Sequence, residues 1–233
     1  MEKVRLYRLL VIAVVAVPAL AYLAFEGSYR AVLASIPGRP SLGAKILPAQ
    51  VSRALWSGLE EGPIEMQRGE VWRWVFGRSW RGSDVAYAVA KEYLRRDRVV
   101  EQWRARHATA ISVRWKMAVA GVMTWVSRNM TAEQALGYWA SEAPFGAGIN
   151  GVDAAAREYF GKVTSDLTTD EAATLAAIAQ SPRYRPDCFP EAGKTARDVI
   201  LSRMARAGLL SGETAEELMR SPTSVKSGGK DCR

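Results

Sequence analysis

The chain has 233 residues, a formal net charge of +8 and a mean hydropathy of -0.10. That length suits one domain with a sizeable core, plus a distinct N-terminal segment. One histidine (His107) and two cysteines (Cys188 and Cys232) argue against a zinc cluster or a Ser-His triad. The basic excess calls for anionic partners. With no compact Lys/Arg run and no nucleic-acid motif, it points to lipid head groups or a phosphate-bearing lipid rather than nucleic acid.

In chain order, Lys3, Arg5 and Arg8 precede an apolar, uncharged run, Leu9 to Phe25. At 1.5 Å per residue this run is about 25 Å long, close to the thickness of a hydrocarbon layer. The positive-inside rule makes 1–8 a cytoplasmic tail and 9–25 a transmembrane anchor, leaving the rest outside the inner membrane. A cleaved signal peptide is the alternative, with Ala19-Leu20-Ala21 as a small-x-small site. Residues 26–46, rich in Gly, Pro and Ser, read as an irregular stalk. Val51, Ala54, Leu55 and Leu59 mark one face of a helix that ends at Gly62-Pro63. Spacing predicts helices over 84–104 and 112–127. Thr131 with Gln134, and Thr168 with Glu171, match capping boxes that open two more. Further helices are expected over about Lys194–Ala207 and Glu213–Arg220. The polar tail 222–233 reads as disordered. No alternating strand of useful length appears, so the class is mainly α. An oxidising compartment would permit Cys188 and Cys232 to pair, but nothing in the sequence selects that pairing.

Three stretches invite chemistry. "GAGING", 146–151, satisfies G-x-G-x-x-G, yet a capped helix and Pro144 precede it where a nucleotide site needs a buried strand, so a glycine-rich turn is the better reading. "EVWRWVFGRSWRG", 70–82, interleaves Trp72, Trp74 and Trp80 with arginines, a pattern that core packing could produce but that, in a domain tethered to a membrane, is read as a lipid–water boundary. "LEEGPIEMQRG", 59–69, carries Glu60 and Glu61 before a Gly-Pro break. Alone, such a pair is ordinarily a solvated helix end.

The motifs that follow change that weighting. "FGAGINGVDAAAREYFGK", "LTTDEAATLAAIAQSPRYRP" and "ARDVILSRMARAGLL" resemble, in order, three blocks of the family 51 glycosyltransferases. These are the peptidoglycan-polymerising domains of class A penicillin-binding proteins and the monofunctional transglycosylases. Weaker similarity reaches back to about Leu47. The resemblance implies a lysozyme-like α fold over 47–221, anchored by one N-terminal helix on the outer side of the bacterial inner membrane. It implies lipid II as substrate, the bilayer and cell-wall synthesis proteins as partners, and room for a divalent cation such as Mg2+ at the pyrophosphate.

Residue by residue, Glu60 falls on the catalytic carboxylate of the family's Glu-Asp-x-x-Phe-x-x-His-x-Gly motif, with Glu61, Ile64 and Gln67 departing from it. "RGSDVAYAVAKE" keeps Ser83 and Lys91 of the second motif and has Tyr87 and Ala88 for its two glutamines. "RWKMA" keeps Arg114 of Arg-Lys-x-x-Glu but has Ala118 for the glutamate. "ALGYWAS" has Gly137 and Ser141 for the glutamate and asparagine of the fourth. By this match Glu60 is the catalytic base, and Ser83, Lys91 and Arg114 bind substrate. The altered positions leave a second reading open: a degenerate relative that binds the lipid-linked precursor or a cell-wall partner without turnover.

Overall fold

The structure, a computed structural model, describes residues 2–43, 45–70, 73, 77, 79–96, 111–223, 225 and 232. The chain begins with α1 (Glu2–Ser35), whose 34 residues would reach about 51 Å along its axis. Val14, Val15, Val17, Leu20 and Leu23 on it are exposed. Among the described residues no helix is long and apolar enough to cross a membrane. The expected anchor, 9–25, begins before Val14, the first residue of α1 with a described side chain.

The segment read as a stalk from residue 26 stays helical through Ser35, and irregular chain follows it. Packing explains the extra turns. Tyr29 and Leu33 are buried together against Phe25 and Trp125, and Trp125 belongs to α4 (Ile111–Asn129). Arg128, also on α4 and 9 % exposed in its side chain, closes the contact. Its guanidinium donates to Glu26 at 2.9 Å and to Glu70 at 2.6 Å, and to the Gly69 carbonyl at 3.2 Å. It also lies 4.7 Å from the centre of the Tyr29 ring. Arg128→Leu would strand two carboxylates in this partly buried place. We expect a loss of about 2 kcal/mol in unfolding free energy, the scale of hydrogen bonds to charged groups, read as a lower denaturation midpoint.

The core gathers around α2 (Ala49–Leu59), which packs against α7 (Thr169–Gln180), and α3 (Ser83–Arg96), which packs against α4. Trp56, Val85, Val89, Leu94 and Leu175 are fully buried. Both expected capping boxes form. Thr131 opens α5 (Ala132–Glu142) and Thr168 opens α7, each with reciprocal backbone and side-chain bonds. Next after α5 comes α6 (Val152–Phe160), and α7 is followed by α8 (Pro190–Arg206) and α9 (Gly212–Arg220). Arg197 of α8 is fully buried and ion-paired with Asp170 at 2.9 Å and Asp198 at 2.8 Å. Among the described residues there is no strand, only an isolated antiparallel bridge between Pro144 and Asn150.

Two sequence expectations are revised or resolved. Trp80 is 4 % exposed and belongs to the core, so it does not face a lipid boundary. Gly69 admits its ring: a Cβ there would lie 2.5 Å from the indole. Trp72, Trp74 and His107 lie outside the described residues. Cys188 and Cys232 form a disulfide across 44 residues, which ties the second-to-last residue of the tail to the start of α8.

Candidate functional site

The site is built where α2 stops and α3 starts. Glu60 caps the C-terminus of α2 in an extended conformation, its N–H donating to the Trp56 carbonyl at 2.7 Å. Gly62, at φ +95, then turns the chain away. Residues 65–67 run back alongside 81–82. The Gln67 N–H donates to the Arg81 carbonyl at 3.0 Å, and the Gln67 side chain accepts from the Arg81 N–H at 3.2 Å. Gln67, which falls where the resemblance puts a histidine, thus bridges two backbone segments. Gly82 permits the close approach: it sits at φ +84, and a Cβ there would be 2.7 Å from the Met66 sulfur.

This arrangement presents the first turn of α3 to Glu60. The Asp84 N–H donates to Glu60 Oε2 at 3.1 Å. A carboxylate at a helix N-terminus meets unpaired N–H groups and the positive end of the helix dipole. Burial nevertheless dominates and raises the Glu60 pKa above the ordinary glutamate range, aided by the neighbouring Asp84 charge and opposed by the backbone N–H groups of Asp84 and Gly82 and by Arg81. The Asp84 carboxyl is raised as well, through partial withdrawal from water, although its outer edge remains exposed.

Beside Glu60, which is not itself among the lining residues, a cleft of about 540 Å³ runs along α3. Leu59 and Asp84, the residues flanking Glu60 in sequence and in space, both line it. Asp84, Tyr87, Lys91 and Arg95 form one wall, and their i, i+3, i+7, i+11 spacing keeps them on one helical face. The order along the wall is carboxylate, phenol, cation, cation. Lys91 and Arg95 make no ion pair among the described residues, and Glu92 lines the same stretch, so this end of the cleft carries two cations and one carboxylate. Opposite lie Trp139 and the glycine-rich loop 146–150. That loop is a tight turn, with Gly146 at φ +78 and the Ile149 N–H donating back to the Gly146 carbonyl at 2.8 Å. A side chain on Gly146 would strike Arg185, 2.9 Å away. Tyr159 braces the same loop by donating to the Phe145 carbonyl at 2.7 Å, and burial pushes its phenol up to about 12. The loop follows α5 rather than a strand, so its G-x-G-x-x-G pattern lacks the context of a nucleotide site.

Of the residues singled out from sequence, Lys91 lines the cleft and Glu60 stands next to its other end, bonded to the Asp84 N–H. Ser83 is buried at the start of α3. Arg114 is exposed on α4 and is not among the residues lining the cleft. Ala118, at the place of the family's second glutamate, is 1 % exposed and packs in the core. Sequence reasoning passed over Asp84, Tyr87 and Arg95, although their helical spacing with Lys91 was available. A second cleft of about 550 Å³ lies beside α6. It is a weaker candidate for the chemistry, because Lys45 there is already paired with Asp153 at 2.7 Å, and the Thr164 hydroxyl donates to the same carboxylate.

The family model described as Transglycosylase matches residues 82–205. The chain belongs to that transglycosylase family. Penicillin-binding protein 1A of Aquifex aeolicus is 29 % identical over 185 residues, covering 78 % of this chain and 24 % of its own length. Penicillin-binding protein 1C of Escherichia coli is 38 % identical over 95 residues, covering 40 % of this chain and 12 % of its own. The crystal structure of penicillin-binding protein 1A from Haemophilus influenzae aligns with 40 % of this chain and 14 % of its own at 28 % identity, with a TM-score of 0.38. The chain therefore spans a quarter or less of the length of these relatives.

Proposed function

We propose that the protein is a peptidoglycan glycosyltransferase of lysozyme-like fold that polymerises lipid II. It would be held by the N-terminal helix in the bacterial inner membrane as a single pass, with the cleft on the outer side. One observation carries the reading: a half-buried carboxylate, Glu60, bonded to Asp84 at one end of a cleft, and two cations, Lys91 and Arg95, without an ion pair among the described residues, towards its other end, in a transglycosylase-family chain. Glycosyl transfer needs that polarity. The acceptor's 4-hydroxyl oxygen attacks the anomeric carbon of the donor and forms the new C–O bond. Glu60 takes the hydroxyl proton as that bond forms. The anomeric C–O bond to the lipid pyrophosphate breaks, and its electron pair leaves with the pyrophosphate. Lys91 and Arg95 stabilise the charge that develops there.

The raised Glu60 pKa suits a base that must hold a proton transiently. Asp84 supplies a second carboxylate beside Glu60. A Mg2+ ion is commonly held by one or two carboxylates together with substrate phosphates, and Glu92, on the cleft wall between Lys91 and Arg95 in sequence, would be its protein ligand here. Such an ion would add charge neutralisation at the leaving group; nothing in the steps above depends on it.

The core position of Ala118 favours a second reading, binding of lipid II without turnover. Incubation with labelled lipid II decides between them, because glycan chains form only under the first. Under both readings, Lys91→Ala or Arg95→Ala should weaken lipid II binding by about 1.5–3 kcal/mol, the worth of a charge-assisted hydrogen bond, and binding should fall as salt rises. Arg114→Ala measured alongside tests the assignment that the resemblance made for that residue.

A further inference from the structure

Resting on the glycosyl-transfer reading above, we propose that Tyr87 is a specificity-determining residue, the aromatic platform on which a pyranose ring of the substrate lies. Its neighbours on α3, Ala86, Ala88, Val89 and Ala90, are buried, whereas Tyr87 is 47 % exposed and faces the cleft. Among the described residues its hydroxyl has no hydrogen-bond partner. A large ring left half uncovered in a concave wall is surface that a ligand can cover.

The chemistry of its surroundings selects the ligand. One turn before Tyr87 stands Asp84, an acceptor for sugar hydroxyls. One turn after it stands Lys91, followed by Arg95, which suit an anomeric phosphate. The axial distance from Asp84 to Lys91 is about 10 Å at 1.5 Å per residue. A group lying on Tyr87 therefore has a carboxylate at one edge and cations at the other. A pyranose bearing an anomeric phosphate has this order of features, with its hydroxyls at one edge and its phosphate at the other. Its C–H face is apolar and slightly positive, and it meets the negative face of the phenol ring. Glutamine, which the family resemblance places at this position, has no such face. The substitution thus replaces an amide contact with a stacking surface, while the neighbouring Lys91 is kept.

The test uses the full chain in detergent micelles and three probes: lipid II, undecaprenyl pyrophosphate, and a soluble N-acetylglucosamine tetrasaccharide. Tyr87→Ala should weaken lipid II binding about tenfold, the scale at which aromatic stacking contributes. It should leave undecaprenyl pyrophosphate, which has no sugar, unchanged. Tyr87→Phe keeps the ring and should bind both as the wild type does. Equal losses for the two lipids, or no loss for either, would overturn the assignment. If the wild-type chain binds neither lipid, the lipid II reading itself falls, and the tetrasaccharide then decides the role of Tyr87. Tetrasaccharide binding that disappears in Tyr87→Ala and survives in Tyr87→Phe upholds the platform. No binding, or binding that ignores the substitution, removes it. Thermal melting of each variant against wild type separates these outcomes from misfolding, and Tyr87→Phe covers the case in which the alanine variant fails to fold.

Discussion

Glu60→Gln should abolish glycan synthesis while leaving lipid II binding intact. The amide keeps the shape and still accepts the Asp84 N–H, which the native side chain takes at 3.1 Å, but it has no lone pair basic enough to remove the 4-hydroxyl proton. Loss of a positioned base costs about 10²–10⁴ in rate. Synthesis at the wild-type rate in this variant would remove Glu60 from the chemistry. The pH profile gives a second reading of the same group. Only ionised Glu60 can act as base, and burial raises its pKa. The acid limb of kcat/KM should therefore lie above the usual glutamate range and should vanish in the variant. Stability should change in the opposite sense. The folded chain holds the Glu60 proton more tightly than the unfolded chain does, so protonation stabilises the fold at low pH, and that contribution is lost as pH rises through the folded-state value. Glu60→Gln mimics the protonated form. It should melt higher than wild type at neutral pH and equally with it in acid.

How far the sequence disclosed this site depended on the kind of signal. Hydrophobic spacing and capping boxes are local, and α2, α5, α7 and α8 came out near their expected bounds. The N-terminal helix did not stop where composition suggested. Its last turns are held by a distant partner, Arg128, and no local pattern encodes that contact. Trp80 was misread for a related reason: an indole beside arginines looks the same in sequence whether it faces lipid or fills the space that Gly69 leaves open. At the site, motif order located Lys91, which lines the cleft, and Glu60, which the fold places beside Asp84 at its other end. It could not show that Ser83 faces inward, or that Arg114 is exposed on a helix while Arg95 lines the cleft wall. Motif matching carries a residue over by position alone. Whether a side chain reaches the cleft depends on helix phase and on neighbouring elements.

The disulfide gives the largest expected effect on stability. Pairing Cys188 with Cys232 closes a span of 44 residues. In the loop-entropy view this stabilises the folded chain by about 4 kcal/mol. For a chain of this size that corresponds to roughly 8–16 °C in melting temperature. The location gives the loss a functional side. Cys188 follows directly on the buried Arg185–Asp187 ion pair, closed at 2.7 Å, and Arg185 packs behind Gly146 in the loop that forms one wall of the cleft. Freeing the tail therefore loosens the segment that backs this loop. Reduction should lower the melting temperature by that amount and should bring forward the temperature at which glycan synthesis fails. The Cys188→Ser, Cys232→Ser double variant should melt at the reduced protein's temperature and ignore added reductant. Unchanged melting of the wild-type chain under reduction, with both thiols shown to be free, would mean that α8 and α9 hold without the staple. The tail's attachment would then be a consequence of the fold rather than one of its supports.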